Sequence, residues 1–188
     1  VTVDNFLRYV DEDRFTDAVF YRTVRADNQP NNKIKIEVIQ GGLKADDHPQ
    51  VLALIPHETT AQTGILHTDG AISMARNEPG TASSSFFICI GDQPELDYGG
   101  RRNPDGQGFA AFGKVVDGME IVKKIHVQKS IEQYLSPEIA IQGIKRLEDF
   151  GKTIDAQGKR VEGLLKDLRA LAILSAAAVA VKQVVDWG

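Results

Sequence analysis

The sequence predicts a mainly β domain with helices, followed by an appended C-terminal helix. Three observations predict it. Short runs of β-branched and aromatic residues alternate with turn-forming clusters, helical spacing is brief before about residue 148, and it is sustained after that point. We therefore expect a domain over 1–147 and an extension over 148–188.

Val3, Phe6, Leu7 and Val10 recur at helical spacing, with Thr2 as N-cap and Asp4 in the first turn, so a short amphipathic helix should open the chain. Ala18 to Val24 and Lys33 to Ile39 read as strands on either side of the turn-rich Asp27 to Asn32. Ala71 to Ala75 and Phe86 to Ile90 read as further strands around the polar Arg76 to Ser84. The second of these is apolar on both faces and should be buried on both. Tyr98 to Gly108 holds four glycines with Arg101, Arg102, Asn103, Pro104 and Asp105, which predicts a surface loop. Beyond it, Ala110 to Val115 reads as a strand, Met119 to Ile125 as a short helix and Ile139 to Ile144 as a closing strand. Val161, Leu164, Leu165, Leu168, Leu171 and Leu174 then form one helical stripe, predicting an amphipathic helix from about Val161 to Val185. That stripe should dock on the domain or mediate self-association. Thr153 to Val161 also reads as a small hairpin turning at Gln157-Gly158.

At 188 residues and 42% hydrophobic content the chain can build a substantial core. With 26 acidic against 22 basic residues it carries a net charge of −4, which argues against nucleic acid or an anionic membrane as partner and favours small, neutral or peptide partners. Cys89 stands alone in an apolar run, so it forms no intrachain disulfide and should be a buried, inert thiol. The longest apolar stretch, Ala170 to Val181, is broken by Ser175 and falls short of the roughly 20 residues that cross a bilayer, so no membrane span is expected. The chain begins with Val1 and runs at once into helical sequence, so a preceding segment is expected to have been removed or left out. The expected compartment is cytoplasmic, or periplasmic if that segment held an export signal.

Chemistry concentrates in three places: an arginine after two rings in Phe20-Tyr21-Arg22, an amide in Ile39-Gln40-Gly41-Gly42, and paired rings in Phe86-Phe87-Ile88-Cys89. They suggest a cationic, apolar groove working through hydrogen bonds and ring packing rather than a hydrolytic centre. Competing motifs are weak. Gly151-Lys152-Thr153 has Arg146 where a phosphate-binding loop needs its first glycine. Ser83-Ser84-Ser85 lacks the glycines of a hydrolase elbow. His48, His57, His67 and His126 have no metal-ligand spacing, and neither metal nor cofactor is expected.

In order and spacing, five blocks resemble the cyclophilin-type peptidyl-prolyl isomerases. They are Phe20-Tyr21-Arg22, Val38 to Gly42, Asp69 to Arg76, Ser84 to Ile90, and Phe112 to Met119. The resemblance runs from Val1 to about Arg146 and, through Leu96-Asp97-Tyr98-Gly99-Gly100, is closest to bacterial members. It implies an eight-stranded antiparallel β-barrel capped by two helices, with the active site on an outer face. Family members usually carry two strands before the helix that here begins the chain, and neither is visible. Because folded proteins cover or pair strand edges, a truncated, complemented or rearranged barrel is expected, with the hairpin at 153–161 as a substitute strand pair.

The implied reaction is rotation about X-Pro bonds in flexible protein segments. The prolyl amide resists twisting with a barrier of about 18–20 kcal/mol, so a catalyst must bind the twisted amide better than either planar form. On twisting, the proline nitrogen gains a lone pair, and an always-charged guanidinium is a suitable donor to it. By the resemblance Arg22 is that donor, and Gln40 orients it and contacts the substrate backbone. Phe87, Leu96 and Val38 form the pocket for the proline ring, with Phe109 as a further pocket residue, while Ala75 offers backbone groups to an extended peptide. Phe86 is expected in the core.

The chain departs from well-known members at Glu37 (usually phenylalanine), Ser85 (glutamine), Arg76 (often asparagine) and Phe109 (histidine or tyrosine). Glu95 stands where a tryptophan helps many eukaryotic members hold cyclosporin, so weak cyclosporin binding is expected. A non-catalytic proline-peptide-binding or chaperone-like module is the alternative reading.

Overall fold

The computed structural model describes residues 1–146. The hairpin at 153–161, the helix at 161–185 and the boundary at 147 therefore lie outside the described residues.

Helix α1, Thr2–Asp11, buries Phe6, Tyr9 and Val10 on the stripe that its spacing dictates. Its N-cap is Val1 rather than Thr2, whose side chain is buried. The helix start is satisfied from a distance instead: the Thr2 N–H donates to Glu58 Oε2 at 2.7 Å, and the carboxylate also suits the positive helix end.

Seven strands form one antiparallel sheet. They are β1 (Val19–Val24), β2 (Val38–Gly42), β3 (Ala71–Met74), β4 (Phe86–Cys89), β5 (Ala110–Lys114), β6 (Ser130–Ile131) and β7 (Tyr134–Ala140), in the order β5-β3-β4-β2-β1-β7-β6. Among the described residues the ladder does not close, and β5 and β6 are its edges. Among the described residues the sheet thus has seven strands and is open, where the resemblance implies a closed barrel of eight. The described residues also form a one-turn helix α2 (Thr60–Thr63), a helix α3 (Met119–His126) and two 3-10 turns at Ala26–Asn28 and Pro94–Leu96, and α3 packs against β1 and β2.

The main core gathers Phe6, Phe15, Phe20, Phe86 and Phe112 between α1 and the inner face of the sheet, with Phe86 edge-on to Phe6, Phe15 and Phe20 at centroid distances of 5.5–6.0 Å. Strand β4 is buried along its whole length, and Cys89 is fully buried within it. Burial pushes that thiol's pKa far up, which leaves it uncharged and inert.

Two strand expectations are corrected. Only Val38 and Ile39 of the stretch Lys33 to Ile39 join the ladder. Upstream, the buried side-chain amide of Gln29 takes the place of a neighbouring strand, donating to the Ile36 carbonyl at 2.7 Å and accepting from the Ile36 N–H at 3.3 Å. The closing strand is Tyr134–Ala140, paired with β1 and with β6, while Ile141 and Ile144 are core residues outside it. Pro137 and the exposed Glu138 hide this strand from pattern reading.

Candidate active site

Strand alternation separates the adjacent rings of β4. Phe86 enters the main core, whereas Phe87 joins a second cluster with Val24, Ile36, Val38, Cys89 and Leu96 on the opposite face. That face floors a cavity of about 650 Å³. All seven residues singled out from the sequence, Arg22, Val38, Gln40, Ala75, Phe87, Leu96 and Phe109, line it.

Arg22 reaches this face because β1 carries a bulge. Phe20 pairs with Gly41 and Arg22 with Gln40, so Tyr21 is the extra residue. Phe20 lies in the core, and strict alternation would send Arg22 there too; the inserted residue puts Tyr21 and Arg22 on the groove side together. Gly41 makes the close pairing feasible, since a Cβ there would lie 2.8 Å from Phe20 Cδ1 and 2.9 Å from the Val19 carbonyl oxygen.

Neutral amides hold the guanidinium. Arg22 Nη1 donates to Gln40 Oε1 at 3.0 Å, while Nε and Nη2 donate to Gln133 Oε1 at 3.0 and 2.5 Å. Gln40 is held in turn: its Nε2 donates to Tyr21 Oη at 2.6 Å, and that hydroxyl donates to Ser85 Oγ at 3.1 Å. Burial raises the Tyr21 pKa and keeps the hydroxyl protonated. Burial also lowers the Arg22 pKa, but a guanidinium remains charged. Three of its five N–H groups are used, one on each nitrogen, which leaves one on each terminal nitrogen for a ligand. No carboxylate pairs with Arg22 among the described residues.

Aromatic rings build the opposite wall. Phe109 meets Phe87 edge-on at 5.3 Å, and Phe87 stacks on the His67 ring at 5.8 Å. His67 is fixed on both nitrogens, Nδ1 lying 2.7 Å from Asp97 Oδ1 and Nε2 2.9 Å from Ser73 Oγ. Burial lowers its pKa against the opposing pull of Asp97, so the ring is a neutral prop behind Phe87. Arg76 covers the outer side of Phe109, with its guanidinium carbon 5.1 Å from the ring centroid. It donates through Nη1 and Nη2 to Asp105 at 2.8 and 3.0 Å, through Nε and Nη2 to the Gly108 carbonyl at 2.9 and 2.5 Å, and through Nη1 to the Asn77 carbonyl at 3.0 Å. Two of the departures, Arg76 and Phe109, are therefore one packed unit.

Other expectations need adjustment. Ile36, with Val38, lines the cavity, and Glu37 does not. Ala75 uses its N–H on the Ser85 carbonyl at 2.9 Å, so its own carbonyl is what it can offer a peptide. Gln133 and Ile36 were not picked out as groove residues from the sequence, whereas Tyr21 stands in the first quoted block and Ser85 among the departures, and both line the cavity. Gln133 lies 111 residues beyond Arg22, and no local pattern links the two.

Fold and groove together define an antiparallel β protein with an open, cationic and apolar cleft on one face of its sheet. The family model for cyclophilin type peptidyl-prolyl cis-trans isomerases matches residues 1–146, and the chain belongs to that family. It is 30% identical over 144 residues to peptidyl-prolyl cis-trans isomerase cyp18 of Streptomyces antibioticus, covering 76% of this chain and 80% of that protein. It is 36% identical over 126 residues to peptidyl-prolyl cis-trans isomerase A of Dickeya dadantii, covering 66% and 59%, and 33% identical over 125 residues to peptidyl-prolyl cis-trans isomerase B of Escherichia coli, covering 66% and 70%. Among solved structures, a Cryptosporidium parvum cyclophilin type peptidyl-prolyl cis-trans isomerase, determined in the presence of the dipeptide Ala-Pro, aligns with a TM-score of 0.58 at 21% identity over 76% of this chain and 82% of that one.

Proposed function

We propose that this protein is a peptidyl-prolyl cis-trans isomerase that turns X-Pro bonds in flexible protein segments and needs no cofactor. The observation that carries the reading is Arg22: a charged, partly buried donor, held by two neutral glutamines, with an unused N–H on each terminal nitrogen beside an apolar wall. Arg22 and Gln40 are the catalytic pair. The proline ring packs against Phe87, Leu96 and Val38, Phe109 closes the pocket, and the Ala75 carbonyl receives the extended peptide backbone. As the amide twists, its nitrogen becomes an acceptor and binds a free Arg22 N–H more tightly than the planar amide can. Gln133 keeps the guanidinium pointed without neutralising it, a task a carboxylate would do badly.

The catalytic unit is assigned to 1–147, with 148–188 as an extension. The open edges at β5 and β6 are read as the places where two further strands would pair. Glu95, ion-paired with Arg101 at 2.6 Å, supports weak cyclosporin binding, and a nanomolar dissociation constant would contradict that. The test of the function is the cis-to-trans relaxation of a short X-Pro peptide with the binding affinity measured in parallel. Acceleration in proportion to protein concentration is expected; saturable binding with the uncatalysed rate would favour the non-catalytic module.

A further inference from the structure

Arg101 and Arg102 are adjacent in the chain but differ in their surroundings. Arg101 is exposed and held by Glu95. Arg102 is half-buried, lines the cavity with Arg22, and makes one side-chain hydrogen bond, from Nη1 to the Ile34 carbonyl at 2.6 Å. Its own N–H donates to the Glu95 carbonyl at 3.1 Å, next to Leu96, so Arg102 adjoins the apolar pocket. No carboxylate among the described residues pairs with it.

The other basic groups of the cavity are accounted for: Lys44 pairs with Glu138 and Arg76 with Asp105. Asp46, the lining carboxylate, is exposed. Arg22 and Arg102 remain as two guanidinium groups that no anion among the described residues offsets. Burial first, and the Arg22 charge second, both work against the Arg102 cation, so the two charges sense each other across the groove. A half-buried cation without a counter-charge is an unfavourable arrangement that an anionic ligand relieves.

We propose that Arg102 selects substrates, favouring X-Pro segments that carry an aspartate or glutamate within one or two residues of the proline. The carboxylate accepts from the N–H groups that Arg102 leaves unused while the ring occupies the pocket beside it. The inference rests on the isomerase reading for the position of the ring. A charge-assisted contact at a partly exposed site should favour the acidic peptide roughly fivefold.

The test uses matched peptides that differ only in Glu or Gln at each position one or two residues before or after proline, with catalysed relaxation and dissociation constants measured at low and high salt. We expect a preference for Glu at one or more positions, shrinking as salt screens it, abolished in R102Q and retained in R101Q. Equal treatment of Glu and Gln at every position, or a preference that survives in R102Q, overturns the proposal. Catalysis without a preference sinks this inference and leaves the isomerase reading intact. A preference in binding without catalysis does the reverse.

Discussion

Arg22 and Arg76 line the same cavity, but the region around Arg76 uses all five of its N–H groups, one pair of bonds going to a carboxylate, whereas the region around Arg22 uses three and supplies only amides. The side chain of Arg76 is 1% exposed and works as a bolt between the end of β3 and the glycine-rich loop. Arg22 keeps its charge and two donors in hand. A saturated arginine contributes to shape and an unsaturated one keeps donors for a ligand, so the same residue type divides the groove into a wall and a cationic centre.

That division can be broken by substitution. The largest effect on stability is expected from Arg76→Ala, which strips partners from Asp105 and the Gly108 carbonyl and removes the cover from Phe109. Urea unfolding should show a loss of about 2–4 kcal/mol. A loss below about 0.5 kcal/mol, typical of surface changes, would mean that the wall is not bolted by Arg76.

Gln133→Glu sharpens the comparison by giving Arg22 the kind of partner that Arg76 has. The new carboxylate should draw on Nε and Nη2 together and weaken donation to the amide nitrogen. We expect kcat/KM to fall roughly tenfold, equivalent to about 1.4 kcal/mol, and, because the Nε2–H that Gln133 donates to the Asn28 carbonyl at 3.1 Å is lost, stability should not rise. An unchanged rate would show that the neutrality of the glutamine is irrelevant.

The smallest effect concerns the prop behind Phe87. His67 has its pKa held below the ordinary value of 6.5 by burial, so once the pH drops under about 6.5 the unfolded chain binds a proton that the folded chain does not. Stability should therefore fall on acidification through that range, by at most about 1.4 kcal/mol per pH unit. His67→Gln should flatten this part of the profile, and identical slopes in the two proteins would refute the assignment.

Much of the site was legible because its residues sit in strands with strong local signatures. The family resemblance singles out Phe87 over Phe86, and the blocks around Arg22, Gln40 and Phe87 keep the family's order. The unread parts depend on contacts that local pattern does not encode. The bulge at Tyr21 shifts the register by one residue, and a period-two reading has no means of locating it. Gln133 acts from a short hairpin far along the chain. The apolar Ile34 and Ile36 looked like strand, but their carbonyls are bonded by the side chains of Arg102 and Gln29. Glu37 stands at a departure from the family pattern, yet Ile36 is the residue that lines the cavity.

The central claim is that the Arg22 guanidinium stabilises the twisted amide. Its most direct test is the relaxation rate of a proline peptide with wild-type protein and with Arg22→Ala, each shown by its amide spectrum to be folded. The account predicts a loss of about 10²–10³ in kcat/KM, the range for removing a key transition-state donor, with native dispersion retained. An Arg22→Ala protein that turns the peptide over at the wild-type rate would contradict it.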